Sequence, residues 1–192
     1  MAIVEHAYNE RVGLICMPTR GCGPFRHFLL GSVTAKVLHD AECPVWTGAH
    51  LEKHPAFDPT QVRHVMCGVD FGPQSAKALC WAADYPAEFG ALLTVVHAIY
   101  PTAIPERYTF QWHEEAHVEA NDRLRALLLG SGVSGDCLVV LGDTHKALGT
   151  AIHENEATLL VIGRRAAPGA AGRLGSDAYG IIRHSPCPVV SI

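Results

Sequence analysis

Apolar residues fall in short unbroken runs, and the stretches between them carry apolar positions at helical spacing. From residue 62 onward the two kinds alternate. A strand is predicted over 62–69, closed by Asp70, and an amphipathic helix over 75–89 follows the Gly72-Pro73 pair. A strand at 91–98, a helix at 108–129 ended by Gly130-Ser131-Gly132, and a strand at 137–141 come next. Then follow a helix at 144–155, a strand at 158–162, a helix at 174–183 and a closing strand at 189–192. A half-buried strand alternates apolar and polar residues, whereas these five are each built on a continuous apolar run, as burial on both faces favours. The pattern therefore predicts a three-layer α/β/α unit around a five-stranded parallel sheet.

The N-terminal part holds only the end of such a series: a helix near 2–10, a strand at 12–17, a helix at 31–39 and a strand at 44–47. Its landmarks recur. Leu30-Gly31-Ser32 and Cys43-Pro44-Val45 return as Leu174-Gly175-Ser176 and Cys187-Pro188-Val189, 144 residues later in both cases. The run Leu14-Ile15-Cys16-Met17 matches Leu159-Leu160-Val161-Ile162 at an offset of 145, so the second strand-to-helix loop is one residue shorter. We expect residues 1–48 to form the C-terminal part of a first domain and residues 62–192 a complete second one. The proline-bearing, aperiodic stretch 49–61 reads as a linker. The last strands of the two copies, 45–47 and 189–192, are expected to pair antiparallel. The strand at 12–17 would then present a sheet edge, which a second chain would cover in a homodimer.

Composition narrows the partners. The chain is 48% hydrophobic and 18% charged, with net charge −4 and pI about 6.3, so it offers nucleic acid no basic stripe. No apolar run reaches the roughly 20 residues of a membrane helix. The N-terminus Met1-Ala2-Ile3-Val4-Glu5-His6 lacks a basic, then apolar, leader pattern, so a cytoplasmic location is expected. Seven cysteines without CxxC spacing, several of them inside apolar runs, read as reduced and buried thiols.

In an open parallel sheet, ligands sit outside the carboxyl ends of the strands, where the strand order reverses. Asp70, Gly163 and the pair Gly175-Ser176 fall there. Gly-Ser at a helix start has two physical uses: Ser176 caps the helix, or free amides and the helix dipole hold an anion. Spacing alone leaves both open.

Gly21, nine residues, then Gly31-Ser32, a helix and Cys43-Pro44-Val45 resemble the signature of the universal stress protein family, Gly-x-x-Gly-x9-Gly-(Ser/Thr). The second copy is similar over nearly its whole length, through Val69-Asp70, Thr94-Val95-Val96-His97-Ala98 and the Pro-Cys-Pro-Val-Val ending. The resemblance implies a sheet order of 3-2-1-4-5 and an adenine-nucleotide site with ATP, and Mg2+ beside it. On that template Asp70 faces the adenosine end and Val96 the adenine, while Gly163, Gly175 and Ser176 line ribose and phosphates. Both copies depart from it. In the second, Ala166 replaces a signature glycine, and Arg164 and Arg165 stand in the loop, as phosphate donors or as a filling of the phosphate space. In the first, Pro18 replaces a glycine, while Gly21, Gly31 and Ser32 remain as candidate nucleotide contacts.

Three functions follow. The first is a stress-response regulatory module that binds an adenine nucleotide or a partner protein. The second is an enzyme: a weak ATPase, or a zinc hydrolase using His113, Glu114 and His117 of a His-Glu-Glu-Ala-His run. A solvated, acidic helix face is the plainer account of that run. The third is a dimerisation module without a ligand.

Overall fold

The computed structural model describes residues 2–19, 30–48, 62–100, 109–164 and 176–192. The chain order is α1 (Ala2–Asn9), β1 (Ile15–Pro18), α2 (Ser32–Asp40), β2 (Val45–Gly48), β3 (His64–Gly68), α3 (Pro73–Phe89) and β4 (Leu92–Ile99). It continues with α4 (Thr109–Ser131), β5 (Asp136–Leu141), α5 (Thr144–Glu154), β6 (Leu159–Ile162), α6 (Ser176–His184) and β7 (Val189–Ser191). Helix α3 starts at Pro73, two residues earlier than the periodicity suggests. Proline has no N–H to lose and its fixed φ suits the first helical turn. Helix α4 runs through Gly130 to Ser131 and stops before Gly132, whose φ of 64° is the left-handed conformation of a helix end.

Among the described residues the strands form one seven-stranded sheet, ordered β1-β2-β7-β6-β3-β4-β5. The five strands from β3 to β7 are mutually parallel and keep among themselves the order that the family resemblance implies, with β3 between β4 and β6. Two further strands, β1 and β2, extend that sheet. Two cores cover its faces. One is built by α1, α2, α5 and α6 around Val37, Leu38, Val45, Leu160, Ile182 and Val189. The other is built by α3 and α4 around Val65, Leu79, Val95, Leu124, Val161 and Val190. The first contains residues from both the N-terminal segment and the rest, so the two parts share a core.

β2 and β7 pair antiparallel, with Val45 opposite Ser191, Trp46 opposite Val190 and Thr47 opposite Val189. At the offset of 144 this register maps onto itself about the Trp46/Val190 pair. Side chains repeat the symmetry: Thr47 Oγ1 donates to the Val189 carbonyl at 3.2 Å, and Ser191 Oγ donates to the Val45 carbonyl at 3.3 Å. All four residues are buried, so each hydroxyl needs such a partner. The offset of 145 in the preceding strands appears in the ladders too. Ile15 N donates to Pro44 O at 3.0 Å, and Leu160 N donates to Pro188 O at 3.0 Å.

Arg164 ties the two parts together. Its guanidinium donates through Nη1 to Leu38 O at 3.0 Å and through Nη2 to Cys43 O at 2.8 Å. Leu38 lies in the last turn of α2, where carbonyls lack intrahelical partners and the helix dipole is negative. Burial lowers the pKa of this guanidinium from its ordinary value. Arg164→Met should cost about 1–3 kcal/mol in urea denaturation, because buried acceptors lose a charged donor. Burial also pushes the Cys67 thiol up to about 12 and the Cys187 thiol up to about 11. The unfolded thiols ionise near 8.5, so the folded state holds protons that the unfolded state releases. Stability is therefore fully present below about pH 8.5 and falls as pH rises toward 11–12. The urea midpoint should drop between pH 9 and pH 11, and Cys67→Ala should make that drop shallower.

Candidate functional site

Parallel strands send their helices off one face or the other. At β3 the chain goes to β4 on one side, and β6 flanks it on the other, so a crevice opens at the carboxyl ends. The crevice is a cavity of about 330 Å³. Gly68, Val69 and Asp70 form its floor, with Val96, His97 and Ala98 on one side and Ile162 and Gly163 on the other. Pro73, Gln74 and Ser75 open α3 into it, Thr144 and Leu148 come from α5, and Ala178 and Ile181 from α6. The amino-terminal turns of three helices thus converge, each with the positive end of its dipole toward the cavity, although in α5 the Asp143 carboxylate already accepts from Lys146 N.

Asp70 is built into a turn. Its Oδ1 accepts from Gly72 N at 2.8 Å and from Ser75 Oγ at 2.9 Å, while Asp70 N donates to Ser75 Oγ at 3.1 Å. This places an exposed carboxylate at the mouth of α3. A Cβ on Gly72 would lie 2.8 Å from Asp70 Oδ1, so glycine there is what lets the carboxylate fold over the turn. Val96 is fully buried, and its carbonyl accepts from Val69 N at 2.9 Å. Gly163 meets α3 closely: an added Cβ would stand 2.8 Å from Gln74 Cβ. Its missing side chain is thus already required by packing.

Of the residues expected at a nucleotide site, Asp70, Val96 and Gly163 come together around one cavity. Ser176 begins α6, two residues before Ala178 on the cavity wall, while Gly175 and Arg165 lie outside the described residues. Arg164 is a correction to the sequence expectation. It does not line the cavity; its guanidinium is spent on the carbonyls of Leu38 in α2 and of Cys43 beyond that helix. Gly31 and Ser32 start α2, away from the cavity lining. There Gly31 N donates to Thr19 O at 2.9 Å and Leu30 N to Tyr179 Oη at 3.1 Å. Gly21 lies outside the described residues.

His113, Glu114 and His117 sit on α4, with His113 half-buried against Trp112 and Glu114 and His117 exposed. None of them lines the cavity. Among the described residues no group of three or more His, Cys, Asp or Glu side chains is placed to hold a metal ion. Nor is any described helix long and apolar enough to cross a membrane.

Sequence reasoning missed Gln74, Ser75 and Thr144 as cavity-lining residues, and it named His97 only as part of the 94–98 strand motif. Ser75 had a usable signal, since a serine shortly after a strand-ending aspartate and Gly-Pro is a helix-start pattern. Thr144 follows Asp143, which caps α5 through Lys146 N.

Comparison with known proteins agrees with this fold. A universal stress protein structure from Archaeoglobus fulgidus is 26% identical with a TM-score of 0.69, covering 99% of this chain and 63% of that one. A functionally unknown protein from Pseudomonas aeruginosa PAO1, 20% identical, shares the fold with a TM-score of 0.73 over 100% of this chain and 66% of its own. The chain thus spans 63% and 66% of the length of these two neighbours. A universal stress protein in complex with cAMP is 26% identical with a TM-score of 0.50, over 68% of this chain and 96% of that one. The sequence model of the Universal stress protein family matches residues 1–47 and 61–192, and the chain belongs to that family.

Proposed function

We propose that the cavity at the carboxyl ends of β3, β4 and β6 binds an adenine nucleotide, and that the protein acts as a nucleotide-responsive regulatory module of the stress response. The observation that carries this reading is the meeting of Asp70, Val96 and Gly163 with three helix amino-termini at one crevice. Helix amino-termini favour phosphate, an exposed carboxylate favours ribose hydroxyls, and an apolar strand end favours a base. The cavity's volume of about 330 Å³ suits one nucleoside-sized ligand. A family member carrying cAMP supports the ligand class. With ATP as ligand, Mg2+ would accompany the phosphates as their counterion.

We further read residues 1–48 as the C-terminal part of a first universal stress protein domain, 49–61 as a linker and 62–192 as a complete second domain. Support comes from the self-mapping register of β2 and β7 and their reciprocal hydroxyl–carbonyl bonds. Among the described residues β1 has β2 as its single strand neighbour, with Cys16 and Pro18 exposed. A homodimer through that edge is the assembly we propose.

Isothermal titration with ATP and ADP tests the ligand. The wild-type chain should bind, and Asp70→Ala should weaken binding by about 10–100-fold through loss of charge-assisted hydrogen bonds. Ser75→Ala, which loosens the same turn, should cost much less. No heat from either nucleotide at millimolar concentration would remove the reading. Light scattering at micromolar concentration tests the assembly: a dimer is expected, and a stable monomer contradicts it.

A further inference from the structure

The wall of the cavity at His97 is the end of a stack that the nucleotide reading does not use. Phe71 has a φ of 58°, a left-handed conformation that a bulky side chain rarely adopts. Its ring centre lies 4.4 Å from that of His97, with 42° between the planes. Arg123 of α4 sets its guanidinium carbon 4.0 Å from the centre of the same Phe71 ring. The order is guanidinium, phenyl, imidazole. His97 borders the cavity and Phe71 does not, so of these three residues His97 is the one at the open space.

The imidazole is also fixed in its plane. Nδ1 lies 2.8 Å from the carbonyl oxygen of Val69, which can only accept, so Nδ1 carries the proton and donates. That hydrogen bond joins the end of β4 to the residue before Asp70. A half-buried ring held by a hydrogen bond at its edge and by a tilted ring contact with Phe71 has little rotamer freedom left to lose. Such a side chain contributes a pre-organised flat surface, which is what a heteroaromatic ligand requires. A left-handed phenylalanine is costly enough to need a reason, and backing this imidazole supplies one.

We propose that His97 is the residue on which the ligand's heteroaromatic base stacks, with Phe71 and Arg123 as the positioning residues behind it. This rests on the reading of the cavity as an adenine-nucleotide site and names the protein group that meets the base. Stacking is tolerant of ring identity, so this element selects for a flat base in general, and discrimination among bases falls to the neighbouring backbone.

The test uses adenosine, which has base and ribose but no phosphate, beside ADP, on chains shown by thermal melting to be folded. His97→Ala should weaken both ligands by about 10–100-fold, the usual worth of one base–aromatic stack. His97→Phe, which keeps a flat face, should stay within about threefold of wild type if stacking is what matters. Arg123→Met should weaken adenosine by about two- to fivefold, as expected from loss of an exposed cation–π contact. In wild-type protein, saturating adenosine should move the His97 Hε1 and Hδ2 resonances upfield by ring current, and Arg123→Met should reduce that movement. Wild-type chain that binds ADP while His97→Ala binds it equally well, or with no His97 resonance shift at saturation, overturns this inference and leaves the nucleotide site standing. Loss of binding in His97→Phe as large as in His97→Ala also overturns it. Failure of the wild type to bind either ligand removes the nucleotide reading itself.

Discussion

Everything at the candidate site depends on β3 lying between β4 and β6 in a parallel sheet. Parallel neighbours point their carboxyl ends the same way. The helix after β3 leaves on one face, and those after β5 and β6 pack on the other. Nothing in the sheet can fill the gap between them. The chain lines it with the starts of α3, α5 and α6, which bring the positive ends of three helix dipoles to one place. The turn from Asp70 to Ser75 then sets a carboxylate at the rim of that positive field. The packing of Gly163 on Gln74 closes the floor.

The second constraint is the β2–β7 pairing. An antiparallel ladder through buried Trp46 and Val190 turns two short strands into part of a continuous sheet and lets the N-terminal helices share a core with α5 and α6. Arg164 belongs to this connection. One residue beyond the cavity-lining Gly163, its guanidinium serves the end of α2, so the carboxyl end of β6 is joined to both the site and the seam. Changes at the seam and at the cavity therefore act on neighbouring backbone.

Much of the fold was legible because its strands are buried on both faces and read as unbroken apolar runs, and because the repeat contains the same final strand twice. The antiparallel pairing of 45–47 with 189–191 followed from that duplication. Boundaries were less legible: residues 12–14 precede β1 rather than forming it, since apolar residues beside a strand look like the strand. That Asp70 and Gly163 would gather at one crevice was legible because strand ends and glycines mark it in this architecture, while Val96, which lines the same cavity, was named only by the family resemblance. Arg164 misled because a cation beside a glycine loop resembles a phosphate donor, while its actual partners, the carbonyls of Leu38 and Cys43, lie more than 100 residues away in sequence. No local pattern encodes such a contact. His97 sits in an apolar run, and only the sheet ladder and the left-handed turn at Phe71 place it at the cavity wall.

The central claim is that the crevice beside β3, rather than the helix start at Gly31-Ser32, receives the nucleotide. Amide hydrogen exchange of the full chain with and without saturating ADP tests it directly. The account predicts slowed exchange confined to residues 68–75, 96–98 and the first turns of α6 near Ala178 and Ile181. Slowed exchange at Gly31 and Ser32 with none around Asp70 would contradict it.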